Sequence, residues 1–242
     1  MHQRIFCFVY CCMARIKPIF LSYTVFLSFI FLLWCGCADS GQPSQHIDSR
    51  NGYAVLPKLK SGEAIATFAG GCFWAMQESM LQLKGVNTVV SGYAGGTTVN
   101  PGYEDVLTGN TGHAESVQVY YDPSKISFEQ LVLAFFYAHD PTQLNRQGPD
   151  VGNDYRSVAF YRSPEELKII DKVIHSPVIR HSIKKQIVTA LEAFRVFYPA
   201  ESSHQDYYEK NSWDPYIRQV SRPKVMHVRS MLPQLIKPAY LK

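Results

Sequence analysis

The chain has 242 residues, 46% of them hydrophobic and 18% charged, with six cysteines and a formal charge of +4. Cys7, Cys11, Cys12, Cys35 and Cys37 fall in the first 37 positions, so Cys72 stands alone in the remainder, which excludes an intrachain disulfide framework or a thiolate-rich zinc site there. Arg4, Arg15 and Lys17 account for three of the 24 basic residues in a stretch without Asp or Glu; the remaining 21 basic against 20 acidic residues argue against the electrostatic footprint of a nucleic-acid binder.

Residues 18–34 form an uncharged apolar run preceded by Arg15 and Lys17 and followed by Cys35-Gly36-Cys37-Ala38. A basic flank, an apolar stretch and small residues at the exit describe a signal peptide. Gly36-Cys37 resembles the end of a bacterial lipobox, although Trp34 sits where that pattern prefers Leu, and Cys37 would then carry lipid as a membrane tether. Cleavage after Ala38 would release a soluble exported protein, and retention of the run would leave an anchor near the lower length limit for spanning a bilayer. Met13 offers a second start. The segmentation is a leader over 1–38, a polar linker over 39–62, a domain over 63–220 and a cysteine-free tail over 221–242. The leader places the protein in the cell envelope, in the periplasm or anchored to the membrane.

The remaining residues suit one domain with a sizeable core. Residues 64–69 form a short apolar strand ending at Gly70-Gly71. Phe73, Met76, Met80 and Leu83 then follow helical spacing, with Gly85 placed as a C-terminal cap. Cys72 therefore sits on a strand-to-helix turn. Residues 88–93 form a second strand, and a Gly-rich loop runs from Ala94 to His113. Over 114–121 the residues alternate, with Glu115, Val117, Val119 and Tyr121 on the face that the valines mark as buried. Ser127 opens a helix to His139, with Gln130 as its capping-box partner. A loop over 140–155 leads to a strand over 157–161, and Ser163-Pro164-Glu165-Glu166 caps a helix reaching His175. A last strand over 187–192 and a short helix over 202–210 complete an α/β or α+β pattern, helices packed on a mixed sheet.

A lone cysteine after two glycines at a helix start has two readings. Unsatisfied N–H groups and the helix dipole would stabilise a thiolate there; alternatively the residue is a small buried hydrophobe. Glu115 favours the first, because burial holds a carboxyl protonated near neutrality, as a general acid requires. The competing reading of Glu115 is a surface strand residue or an arginine partner. A thiolate, a neutral acid and the neighbouring aromatics Phe73 and Trp74 suit attack on an electrophilic heteroatom whose leaving oxygen must be protonated.

The run Phe68-Ala69-Gly70-Gly71-Cys72-Phe73-Trp74 resembles the signature of the A-type peptide methionine sulfoxide reductases. The likeness continues through Ser91-Gly92-Tyr93-Ala94-Gly95-Gly96, Asn100-Pro101-Gly102-Tyr103-Glu104 and Thr108 to Glu115. It runs on in His139-Asp140-Pro141-Thr142-Gln143, Arg146 to Ser157, and His204-Gln205-Asp206-Tyr207. The resemblance implies a two-layer α/β sandwich of ferredoxin-like type. It implies reduction of the S epimer of methionine sulfoxide, free or in oxidised proteins, with no metal or bound cofactor; the chain is expected to act as a monomer. By position, Cys72 would be the nucleophile and Glu115 the acid. Tyr103 and Tyr155 would hydrogen-bond the sulfoxide oxygen, Asp150 would line the pocket, and Phe73 and Trp74 would hold the substrate methyl group.

Gly102 and Ser203 stand where the family has Thr or Ser and Tyr. More consequential is the absence of a second sulfur: Leu107 occupies a position that is Cys in some relatives, and the tail has none. The resulting sulfenic acid therefore needs an external thiol, from a thioredoxin-like protein, a glutaredoxin or a glutathione-like molecule. Two other readings compete. Cys72 with His113, His139 or His204 would make a cysteine hydrolase, and the aromatic residues alone would make a non-enzymatic binding cage. His113-Ala114-Glu115 resembles the zinc-deaminase motif, but its P-C-x-x-C partner is missing.

Overall fold

Residues 45–241 are described by a computed structural model; the leader, Cys37 and the first part of the linker lie outside them. In chain order the elements are β1 (Ser49–Arg50), β2 (Tyr53–Ala54), β3 (Ala64–Gly70), α1 (Phe73–Leu81), β4 (Val86–Ala94), α2 (Tyr103–Leu107) and β5 (Ala114–Tyr121). There follow α3 (Phe128–Ala138), β6 (Arg146–Gln147), β7 (Asp150–Val151), β8 (Ser157–Tyr161), α4 (Pro164–Ile174) and α5 (Pro177–Ser182). The chain then continues through β9 (Ala190–Ala193), β10 (Phe197–Pro199), α6 (Tyr207–Lys210) and α7 (Arg222–Met231).

Six strands form one mixed sheet in the order β10-β4-β5-β3-β8-β9, antiparallel except for the parallel pair β8–β9. Its centre, β3-α1-β4-β5-α3-β8, is the split βαβ of a ferredoxin-like fold, as the resemblance implied. Phe68, Phe73, Met76, Met80, Leu131 and Phe135 build the main core where helices meet the sheet, and Phe135 stacks on Phe68 with ring centroids 5.0 Å apart. A smaller core of Ala69, Val90, Val158, Phe160 and Phe197 covers the opposite face. Every residue of β5 is consequently buried, and the alternation foresaw only one of its two covered faces.

Several expectations change. Ser127 caps α3 with Gln130 as its reciprocal partner, and Ser163 caps α4. Helix α1, however, stops at Leu81. The Lys84 N–H donates to Leu235 O, and the Gln82 carbonyl accepts the Lys237 N–H, so the C-terminal segment satisfies the helix end before Gly85 is reached. Gly85 has φ of +82° and instead turns the chain into β4. The long loops contain the short helix α2 and the hairpin β6–β7, and the segment over 202–210 is broken by Asp206, whose φ is +56°.

Two stretches read as peripheral are built into the fold. From the linker, Ala54 is buried, and Ile47 and Leu56 pack on the smaller core. From the tail, Val225, Val228 and Leu232 are buried, Val228 and Leu232 in the main core, and α7 packs against α1 and α3. No helix among the described residues is long and apolar enough to cross a membrane.

Candidate active site

The turn that carries Cys72 is shaped around two glycines. Gly71 has φ of +83°, and a Cβ there would collide with the Gln147 side chain; a Cβ on Gly70 would meet Met76 Cε at 2.5 Å and the His139 ring at 3.0 Å. Cys72 becomes the N-cap of α1 and is only 6% exposed. From β5, Glu115 comes up beneath the helix start, 2% exposed, and its Oε2 accepts the Phe73 N–H at 2.9 Å. The acid candidate thus bonds the backbone group next to the nucleophile candidate.

Electrostatics divide the two groups' expected roles. Burial pushes the Glu115 carboxyl up to about 8, opposed by the Phe73 N–H and reinforced by Asp154 and Asp150, so at neutral pH it is a carboxylic acid. Burial also pushes the Cys72 thiol well above its ordinary value, and Glu115 adds to this. The stabilised thiolate expected from the helix terminus is therefore corrected. The Trp74 N–H and the Tyr216 hydroxyl do pull the other way, but removal from water outweighs them, and the resting residue is a thiol.

Around this pair stand the remaining candidates. The phenols of Tyr103, on α2, and Tyr155, just before β8, are both half-buried. After burial, Glu115 acts most strongly on each, and Cys72 acts on both. Asp150, on β7, accepts a 2.5 Å hydrogen bond from Tyr216 Oη. Phe73 is wholly buried, its ring between Tyr93 and His204. Trp74 is stacked by Tyr207 at 3.8 Å and met edge-on by Tyr216 at 5.7 Å, and its Nε1 donates to His204 Nδ1 at 3.3 Å.

Four contributors were missed. Tyr216, hydrogen-bonded to Asp150, also acts on the Cys72 thiol. Lys224, on α7, has a buried Nζ with no hydrogen-bond partner among the described residues, and its charge is coupled to those of Cys72, Asp150 and Glu115. Buried Asp154 is the strongest carboxylate neighbour of Glu115. Glu201 accepts from the Tyr103 N–H at 2.8 Å and from Tyr93 Oη at 2.9 Å. A signal for Lys224 exists in the spacing of Val225, Val228 and Leu232 after Pro223, which marks an amphipathic helix.

Two of the three candidate histidines, His139 and His113, are spent elsewhere, while His204 stays among the site aromatics. His139 is buried, its nitrogens 2.8 Å from Phe135 O and 2.7 Å from Ser157 Oγ, and burial lowers it to about 4. His113 accepts from the Gly96 N–H and pairs with Thr98 O. No group of three or more His, Cys, Asp or Glu among the described residues is arranged to hold a metal ion.

A family model described as peptide methionine sulfoxide reductase matches residues 64–234. The chain belongs to the peptide methionine sulfoxide reductase family. It is 48% identical over 166 residues to the peptide methionine sulfoxide reductase MsrA of Natronomonas pharaonis, covering 69% of this chain and 93% of that one. It is 46% identical over 173 residues to the MsrA of Saccharolobus solfataricus, covering 72% and 97%. Among solved structures it resembles reduced Mxr1 from Saccharomyces cerevisiae, with TM-score 0.61 and 33% identity over 65% of this chain and 91% of that one. The methionine sulfoxide reductase A of Corynebacterium diphtheriae gives TM-score 0.58 and 33% identity, over 72% and 88%. The matched span includes every site residue named above and the whole of α7.

Proposed function

We propose that the chain reduces the S epimer of methionine sulfoxide, free and within oxidised proteins, to methionine, using thiol chemistry with no bound cofactor. The observation that carries this is a protonated, buried Glu115 hydrogen-bonded to the N–H that follows a single buried cysteine. The sulfur of Cys72 attacks the sulfoxide sulfur while Glu115 protonates the oxygen, and Glu115 recovers a proton from the thiol. Oxygen ends on Cys72 as a sulfenic acid: the substrate sulfur gains two electrons and the cysteine sulfur loses two. Tyr103 and Tyr155 donate to the oxygen in this reading, which their coupling to both Glu115 and Cys72 supports. Lys224 and Tyr216 favour negative charge on the sulfur during attack.

Because no other cysteine follows position 37, the sulfenic acid condenses with an external thiol to a mixed disulfide and water. A second thiol then releases Cys72 and leaves as the oxidised donor. The donor class is a thioredoxin-like protein, a glutaredoxin or a glutathione-like molecule. We further propose that the chain acts as a monomer, and that its leader, with a basic flank and an apolar run over 18–34, exports it to the cell envelope, released or tethered through Cys37.

Single-turnover reaction with a methionine sulfoxide peptide in the absence of reductant, followed by intact mass, tests the chemistry. The expected result is one methionine per protein and a Cys72 adduct of about 16 Da that a sulfenic-acid reagent traps. An intramolecular disulfide would overturn the one-cysteine cycle, and a thioester without sulfoxide turnover would point to a hydrolase. Against the hydrolase stand His113 and His139 with both nitrogens engaged. Against a binding cage stands the buried Glu115 bonded beside the lone cysteine, a pairing that a cage does not use.

A further inference from the structure

Residues 45–56 lie outside the stretch the family model matches, yet they grip the segment that positions two parts of the substrate pocket. Gln45 pairs with the β4 backbone in both directions. Its Oε1 accepts the Val89 N–H at 2.8 Å and its Nε2 donates to Val89 O at 2.7 Å. The same Nε2 donates to Asp206 Oδ1 at 2.7 Å. Asp206 is buried in the left-handed conformation, and its N–H donates to Gln77 Oε1 of α1 at 2.9 Å. A non-glycine residue in that conformation persists where its contacts over-determine it, and Gln45 supplies one of them.

The second grip is backbone to backbone. The Ala54 N–H donates to Ala200 O at 3.1 Å, Gly52 O accepts the Ser202 N–H at 2.7 Å, and Tyr53 forms a bridge with Glu201. The second grip contains Glu201, which accepts the Tyr103 N–H, and His204 lies between the two grips. The His204 ring lies 4.3 Å from that of Tyr103 and accepts from Trp74 Nε1.

We propose that this N-terminal arm is a positioning element for the sulfoxide pocket, with Gln45 as its principal side chain. By holding residues 200–206 it fixes Tyr103 and Trp74, and it governs substrate affinity, leaving the reactivity of Cys72 alone. The kinetic part rests on the reductase reading; the clamp itself does not.

The test uses the full chain with Gln45→Ala, Asp206→Ala and the double variant, read by amide exchange and by steady-state kinetics on an oxidised peptide. In Gln45→Ala the Tyr103 and Asp206 amides should exchange about tenfold faster. KM should rise about five- to tenfold with kcat held within about twofold, and the double variant should be no worse than the more affected single one. Unchanged exchange at Tyr103 overturns the clamp. Faster exchange with unchanged KM overturns its role in substrate affinity, and a fall in kcat that tracks Tm reduces the arm to general stability and overturns the proposal. A wild-type protein without sulfoxide turnover would sink the reductase reading instead, while the exchange experiment would still decide the clamp.

Discussion

Glu115 serves the reaction at a cost to the fold. Its carboxyl binds a proton more tightly in the folded chain, near 8, than in the unfolded chain, near 4.5, so its penalty on stability is absent below about 4.5 and grows as pH rises toward 8. Glu115→Gln keeps an oxygen for the Phe73 N–H and removes that titration. The variant should melt higher than wild type at pH 8 while single-turnover sulfoxide reduction slows about 10²- to 10⁴-fold; equal melting temperatures would contradict the burial cost. In the wild type the same step should fall off above pH 8 as the acid ionises. Lys224 holds the Glu115 value down, so Lys224→Met should move this alkaline limb to higher pH, and a pH–rate profile with an unmoved limb would remove Lys224 from the site. Both Cys72 and Glu115 were legible in the sequence, one from its isolation after two glycines and the other from strand alternation. The state of the thiol was not legible, since a helix terminus is local and visible in sequence whereas the near-complete burial of Cys72 is set by tertiary packing.

At the scale of elements, the β3–α1 turn is the least forgiving connection. Gly71 combines a positive φ with a Gln147 side chain where a Cβ would stand, so Gly71→Ala should cost about 1–3 kcal/mol in denaturant unfolding and displace Cys72 from Glu115. A variant of wild-type stability and activity would show that the turn can rearrange. Elements announced by local chemistry were readable: Ser127 and Ser163 marked α3 and α4, and the alternation of β5 located it residue for residue. Elements defined by tertiary partners were not. Helix α2 spans only five residues and is capped through Gly102, too short for periodicity. The end of α1 is decided by Leu235 and Lys237, more than 150 positions away. The arm around Gln45 is polar, and its place in the fold comes from hydrogen bonds to Val89 and Asp206 that composition does not reveal.

For the molecule as a whole, the site is drawn from Cys72, Tyr103, Glu115, Asp150, Tyr155, Tyr216 and Lys224, so it is complete only when the C-terminal helix has docked on α1 and α3. The raised thiol has a consequence for the company such an enzyme keeps. Peroxide reacts with thiolates, and a folded chain whose cysteine stays protonated offers it little to attack. Hydrogen peroxide and iodoacetamide should therefore modify Cys72 more slowly in the folded protein than in the urea-unfolded one at pH 7, and a faster reaction in the folded state would refute the burial argument. The same desolvation that separates Cys72 from the expected thiolate lets the protein distinguish an oxidant from the damage an oxidant leaves behind.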